Sequence, residues 1–299
     1  MSILVVGSVA LDTVKTPFGR RNEILGGSAT YFSISAGFFE AVNLVAVVGK
    51  DFPKEYLGVF RKRGVDLKGL EVKKGKTFRW VGRYGFDFNK AETIKTSLNV
   101  FSSFSPRIPY EYKRCKFVFL ANIDPQLQQI VLEQIRTPKF VACDTMNYWI
   151  EHKRKYLLEV LKQVDMFLLN DSEARQLTQE SNLLKAVKEI CRLGPRYIVI
   201  KKGEHGALLF CKDSFFCVPA LLVDSVVDPT GAGDTFAGGL IGYLSRVSVL
   251  NRDSFKKAVI YGTIMASFAV EDFSVNKLIS IKNRDISKRL REFKKLTTF

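Results

Sequence analysis

Short, almost wholly apolar runs alternate along the chain with longer stretches whose apolar residues recur every three or four positions. The runs Ile3 to Val6, Leu44 to Val48, Phe117 to Leu120, Phe140 to Cys143, Met166 to Leu169 and Tyr197 to Ile200 are rich in β-branched residues and predict buried strands. Between them, Leu127, Ile130, Val131 and Ile135, and again Tyr156, Leu157, Val160 and Leu161, fall on one face of a helix. Strands apolar on both faces and separated by helices predict a mostly parallel sheet covered on both sides, an α/β fold.

Two stretches break this rhythm. Residues 13–24 and 71–104 alternate with period two, as in Thr77-Phe78-Arg79-Trp80-Val81-Gly82-Arg83-Tyr84 and Thr93-Ile94-Lys95-Thr96-Ser97-Leu98-Asn99-Val100. That alternation predicts half-exposed antiparallel strands. As insertions into one domain spanning 1–299, they would form a small sheet that acts as a lid over a cleft. The exposed edges of such a lid would let two copies pair, which predicts a homodimer through the lid. At the other end, Lys282 to Lys295 carries seven Lys or Arg and two acids, with Ile286, Leu290 and Phe293 on one face. This describes a terminal helix docked on the core more simply than a grip on nucleic acid.

Composition adds limits. A length of 299 residues allows two domains or one large α/β domain. With 46% apolar and 25% charged residues, the chain is neither disordered nor collagen-like. Lys and Arg outnumber Asp and Glu, 46 to 30, for a net charge of +16, so an anionic partner is indicated. Charge alone does not choose between phosphates and nucleic acid, but it is dispersed and lacks an aromatic-interleaved patch, so no nucleic-acid partner is expected. Ile24 to Phe39 and Ala258 to Val270, the longest uncharged runs, are shorter than the ~18–20 apolar residues of a membrane span, so no membrane contact is expected. Met1 to Ser8 reads as a first strand and not a leader, and the expected location is the cytoplasm. Five cysteines without a Cys-x-x-Cys predict reduced, mostly buried thiols and no structural zinc. His152 and His205 lack ligand-like spacing and read as surface residues.

Chemistry concentrates in Asp228-Pro229-Thr230-Gly231-Ala232-Gly233-Asp234-Thr235-Phe236, which follows a strand-like run, Leu221 to Val227, and opens a helix. The small residues Gly231, Ala232 and Gly233 would let backbone N–H groups close around an anion at the positive end of the helix dipole. Asp234 beside that cradle is either a helix cap or a base that takes the proton of an alcohol attacking a bound phosphate. There is no Gly-x-x-x-x-Gly-Lys-Ser/Thr and no Gly-x-Gly-x-x-Gly after the first strand, which disfavours P-loop and Rossmann enzymes. Three further features lie where open α/β sheets bind ligands: Asp12 beyond the first strand, the pair Gly26-Gly27 before a helix, and Asn170-Asp171-Ser172-Glu173 after a strand.

Taken together, these segments resemble the ribokinase-like carbohydrate kinases, the PfkB family, over essentially the whole chain. Asp-Pro-Thr-Gly-Ala-Gly-Asp is similar to the family's specific Asp-Thr-x-Gly-Ala-Gly-Asp signature; Gly-Gly-Ser-Ala and Asn-x-x-Glu support it. The resemblance implies a three-layer α/β/α sandwich with a small antiparallel β lid. It further implies that Asp234 is the catalytic base and that Gly231, Ala232 and Gly233 form the anion hole. Asp12, Gly26 and Gly27 would bind the acceptor's hydroxyls, and Asn170 and Glu173 would organise Mg²⁺ and phosphate, Glu173 through water.

Lys201-Lys202-Gly203-Glu204-His205-Gly206 is similar to the family segment beside ATP, which would place Lys201, Gly203 and Gly206 there. Lys201 stands where the family commonly has Thr or Ser, and is either a point charge for a triphosphate or a solvated turn lysine. Asp228 and Thr230 resemble half of a monovalent-cation loop of some members, which would bind K⁺; the other half, Val270-Glu271-Asp272-Phe273-Ser274, departs from it. The implied reaction moves the γ-phosphoryl group of ATP to a primary hydroxyl of a sugar or sugar-containing metabolite. A nucleoside kinase is the alternative: Trp80 or Tyr84 of the lid would stack on a base, and Arg79 or Arg83 would grip a substrate phosphate, unless these residues only pack or face solvent. A non-catalytic ligand-binding or nucleic-acid-binding protein is the competing class.

Overall fold

Along the first strand, Ile3 and Val5 face one hydrophobic core while Leu4 and Val6 face another. This two-sided burial sets the architecture, because a strand apolar on both faces has to lie inside a sheet covered by helices above and below. The computed structural model describes residues 2–211 and 214–298. In chain order the elements are β1 (Ser2–Val6), β2 (Ala10–Thr16), β3 (Gly19–Gly26), α1 (Ser28–Ala36), β4 (Ala41–Gly49), α2 (Lys54–Lys62), β5 (Val65–Lys73), β6 (Phe78–Tyr84) and β7 (Ala91–Ser97). The second half contains β8 (Phe117–Leu120), α3 (Pro125–Gln134), β9 (Phe140–Asp144), α4 (Asn147–His152), α5 (Arg154–Leu161), β10 (Met166–Asn170), α6 (Asp171–Thr178), α7 (Leu183–Arg192) and β11 (Tyr197–Lys201). It closes with β12 (Ala207–Cys211), β13 (Ser214–Val218), α8 (Ala232–Arg246), α9 (Arg252–Ala269), α10 (Asn276–Ser280) and α11 (Asn283–Thr297).

The main sheet has nine strands in the order β13-β12-β11-β10-β9-β8-β1-β4-β5. Pairing is parallel from β11 through β5, and β12 and β13 add an antiparallel edge. Helices α1, α8, α9 and α11 pack on one face; α3, α5, α6 and α7 pack on the other. The chain runs from β1 out through β4 to β5 and then returns to β8 on the opposite side of β1. That reversal opens a crevice beyond the carboxyl ends of β1 and β8, the place where open α/β sheets bind ligands.

A second sheet has the order β3-β2-β6-β7. The hairpins β2–β3 and β6–β7 are antiparallel, but β2 and β6 run parallel, from Ala10 opposite Phe78 to Lys15 opposite Arg83. The lid is therefore mixed and not wholly antiparallel. The reason is connectivity: after β3 the chain crosses the main domain through α1, β4, α2 and β5, and re-enters the small sheet at the same end as β2. Residues 71–73 finish β5 in the main sheet, and Asn99–Ser103 form a short 3₁₀ turn beneath the lid. Val14 and Tyr84 of this sheet pack with Phe273, joined by Ile24 and Trp80.

Two local expectations change. Leu221 to Val227 lies in no strand; it is a connecting segment between the sheet edge and the cleft. The thiols are not mostly buried: Cys115 and Cys143 are, Cys191 and Cys211 are half-buried, and Cys217 is exposed on the antiparallel edge strand. Helix α11 docks as expected, with Ile286 and Phe293 buried and Arg289 lying 3.5 Å over the ring of Phe268. No helix among the described residues is long and apolar enough to cross a membrane.

Candidate active site

The turn before α8 is built around Gly231, which caps the helix with φ 75° and has the ring of Tyr31 where a side chain would start. Both facts require glycine. The Ala232 amide closes the turn by donating to the Pro229 carbonyl at 3.1 Å. The amides of Gly231 and Gly233 have no acceptor among the described residues, so the cradle offers two donors at the helix's positive end, with Ala232 shaping the turn. Asp234 follows in the first helical turn, half-buried and so still reached by water. Burial pushes its carboxyl up to about 8; Asp144 and Asp12 push the same way and Lys201 opposes them.

Asp12, on β2, lies against Gly26 and accepts a hydrogen bond from the Gly27 amide. Its Oδ1 is buried without a partner. Burial, partly offset by that amide, raises this carboxyl to about 7, with the Asp228 charge adding to the rise. Gly27 has φ 95° and its Cα faces the Ser8 carbonyl so closely that only glycine fits. Arg79 sits on β6 with Nε 2.7 Å from Glu23, Nη2 2.8 Å from Asp51 and Nη1 donating to the Thr77 carbonyl at 3.0 Å. A guanidinium so engaged has to give up an ion pair before it can hold a substrate phosphate. Trp80 donates its indole N–H to the Thr93 hydroxyl across the lid at 3.1 Å.

Across the cleft, Asn170 and Glu173 form a reciprocal cap on α6: each side chain accepts from the other's amide at 2.7 Å. Burial raises the Glu173 carboxyl to about 7, against the pull of Lys201. Lys201, at the end of β11, donates to Asp144 Oδ2 at 2.6 Å and flanks Gly233. Burial alone would lower its ammonium, but Asp144 and Glu173 more than offset that and raise it. This lysine is thus not on a solvated turn. Gly203 and Gly206 shape the turn after it, and Asn89 at the tip of the lid hairpin rests on Gly203 with Nδ2 3.4 Å from Glu204.

Asp228 is buried; its oxygens accept from the Thr230 amide at 2.9 Å and the Ser274 amide at 3.4 Å. The amides of Val227 and Asp228 both donate to the Val270 carbonyl, stitching the two loops together. Burial raises the Asp228 carboxyl, the Thr230 and Ser274 bonds lower it, and Asp272 raises it further. Glu271 is paired with Arg289 at 2.6 Å and Lys277 at 3.2 Å. The fold therefore brings Asp12, Asp228, Asp234, Glu173 and Lys201 into one field of charges, with Arg79 at its lid-side margin.

Two residues of this site were not expected. Asp144 ends β9 just as Asp12 follows β1, and a carboxylate at the carboxyl end of a parallel strand was a readable signal. Tyr31 had none: inside a helical run it looks like core. Its hydroxyl is buried without a partner and faces Asp228, Asp12, Tyr84 and Asp234, which with burial raise its proton affinity.

Residues 11–282 match the pfkB family of carbohydrate kinases. Among curated relatives, a cytidine kinase of Thermococcus kodakarensis is 31% identical over 251 residues, covering 82% of this chain and 89% of that enzyme. A nucleoside kinase of Thermoplasma acidophilum is 25% identical over 98% of this chain and 91% of its own length. Among solved structures, the nucleoside kinase of Burkholderia thailandensis in complex with inosine superposes with a TM-score of 0.80 at 17% identity, over 99% of this chain and 98% of that one. Its fold is the ribokinase fold seen here. The signature loop, the two-layered helical cover and these likenesses agree: the chain belongs to the pfkB family of carbohydrate kinases and is an ATP-dependent kinase.

Proposed function

We propose that this enzyme transfers the γ-phosphoryl group of ATP to a primary hydroxyl of a nucleoside, a sugar-containing acceptor, with Asp234 as the base. The observation that carries the chemistry is Asp234 itself, a carboxyl raised to about 8 beside the unengaged amides of Gly231 and Gly233. A base is most effective when its proton affinity lies near the working pH. The nucleoside is supported by the likeness to the cytidine kinase over 82% of the chain.

In this reading the acceptor's sugar lies on Gly26 and Gly27, and the unpartnered Asp12 Oδ1 accepts from one of its hydroxyls. The primary hydroxyl loses its proton to Asp234 as its oxygen bonds to the γ-phosphorus, and the bond to the bridging oxygen of ADP breaks. Gly231 and Gly233 donate to the transferred group, and Lys201 adds a fixed positive charge beside Gly233. The turn at Gly203 and Gly206 would border the nucleotide.

Among the described residues, no group of three or more His, Cys, Asp or Glu side chains would hold a metal unaided. That fits Mg²⁺, which keeps its waters and relies on one or two carboxylates plus phosphates. Glu173, through water, and Asn170 would hold it, and when bound it draws charge from the phosphates. Asp228 and Thr230 would hold a monovalent cation such as K⁺, which the proximity of Asp228 to Asp272 favours. Pairing of two copies through the lid is proposed on β7, whose residues from Ala91 to Thr96 are exposed along the sheet edge. Sedimentation velocity tests it.

The test of the reaction is ADP release with cytidine, adenosine, inosine, ribose, fructose and fructose phosphates. The highest kcat/KM is expected for a nucleoside and should be lost in Asp234→Asn. Turnover of free sugars alone would replace the acceptor class; near-normal kcat in Asp234→Asn would remove the base.

A further inference from the structure

Two residues beyond the carboxyl end of β8, in the crevice between β8 and β1, Asn122 is half-buried. Its Oδ1 accepts the indole N–H of Trp149 at 2.8 Å. An indole nitrogen can only donate, so this contact fixes which end of the amide is which. The oxygen faces Trp149, and the NH₂ group, with two donors and no partner among the described residues, faces away from it.

A short chain of contacts ties Asn122 to the acceptor side of the cleft. The Ser28 hydroxyl lies 3.5 Å from the Asn122 carbonyl and 3.1 Å from the Ser8 hydroxyl. Ser8 in turn lies against Gly27, and Asp12 lies on Gly26. Asp12 presents a buried oxygen without a partner; Asn122 presents donors without one. The first can accept from a hydroxyl, and the second can only donate to a lone pair.

We propose that Asn122 is a substrate-binding residue, donating through its side-chain NH₂ to an oxygen of the acceptor nucleoside, either a sugar hydroxyl or a carbonyl of the base, and that Trp149 is the positioning residue that aims it. This rests on the nucleoside reading above. Such a donor discriminates sharply, because an acceptor lacking the oxygen leaves a partly buried amide unpaired.

The experiment is steady-state kinetics of the full-length enzyme and of Asn122→Ala, Asn122→Asp and Trp149→Phe, with thermal melting to check the fold. The acceptors are cytidine, its 2′-deoxy and 3′-deoxy forms, and the analogue without the 2-carbonyl of the base. Asn122→Ala should raise KM for cytidine about 10-fold with kcat and KM for ATP little changed, the size of one hydrogen bond to a partly buried group. Asn122→Asp, which keeps the shape but removes the donors, should lose at least as much, and Trp149→Phe less. Coupling identifies the oxygen: the analogue that lacks it should bind the unaltered enzyme and Asn122→Ala equally. An unchanged cytidine KM in Asn122→Ala, a loss shared equally with KM for ATP, or equal loss on all four acceptors overturns the proposal. An unaltered enzyme that phosphorylates sugars and no nucleoside overturns the nucleoside reading first, and this one with it.

Discussion

The ammonium of Lys201 and the carboxylate of Asp144 meet at 2.6 Å on neighbouring sides of the cleft, with Glu173 and Asp234 facing the same charge. Side-chain exposure is 19% for the lysine and 3% for the aspartate, so neither charge is well hydrated and each depends on the other. This pair links the proposed metal side of the site to the proposed catalytic turn.

Removing one partner should therefore cost more than removing both. Lys201→Met leaves Asp144 as a buried, unpaired charge and should destabilise the fold by about 3 kcal/mol, at the low end for a broken buried pair because the lysine keeps some solvent. Lys201→Met combined with Asp144→Asn should recover much of it. Chemical denaturation of the two single variants and the double variant measures the coupling; additive losses would show that the pair does not act as a unit.

Asp234→Asn should lower kcat by about 10² to 10⁴ while ATP binding persists, since the amides of Gly231 and Gly233 are untouched. Rapid-quench turnover alongside nucleotide titration separates the two effects.

The raised carboxyls make stability fall as pH rises. Asp12 and Glu173 at about 7 and Asp234 at about 8 bind protons in the folded chain that the unfolded chain has already released, so the ligand-free protein loses stability between about pH 4 and 8. Asp234→Asn removes its share of that loss. It should raise the melting temperature more at pH 8 than at pH 5, and a gain independent of pH would show that Asp234 titrates normally.

Gly231→Ala would put a methyl group into the ring of Tyr31 at a left-handed backbone position, and should cost about 1–3 kcal/mol and most ATP turnover. Gly58→Ala on α2 meets nothing within 4 Å and should stabilise by about 0.5–1 kcal/mol. Melting curves of the two variants side by side check the contrast.

Chelating Mg²⁺ should abolish phosphoryl transfer and leave the melting temperature of the ligand-free enzyme unchanged, because no side-chain cluster among the described residues would bind the ion alone. A chelator-induced drop in melting temperature would point to a resident metal.

Much of this molecule is local, and what is local was legible in the order of residues. Two-sided apolar runs such as Ile3 to Val6 predict a covered parallel sheet because each face needs its own core. Gly231 and Gly233 predict a turn because few other residues leave room for an anion. Asn170 and Glu173 could be seen to lie together after a strand; that they cap α6 reciprocally, a cap that holds Glu173 toward Lys201, came from the structure. What stayed hidden depended on residues far apart in sequence. The lid's parallel β2–β6 pairing follows from a crossover through the main domain, which period-two alternation does not encode. Arg79 looked free until Glu23 and Asp51 closed on it. Lys201 looked as much like a turn lysine as a phosphate ligand until Asp144, 57 positions earlier, came within hydrogen-bond reach. Sequence pattern determined which segments are buried and where an anion can sit, because those are properties of neighbouring residues. Only the tertiary structure decided which charges face one another, because Coulomb interactions and desolvation depend on distance in space and not on distance along the chain.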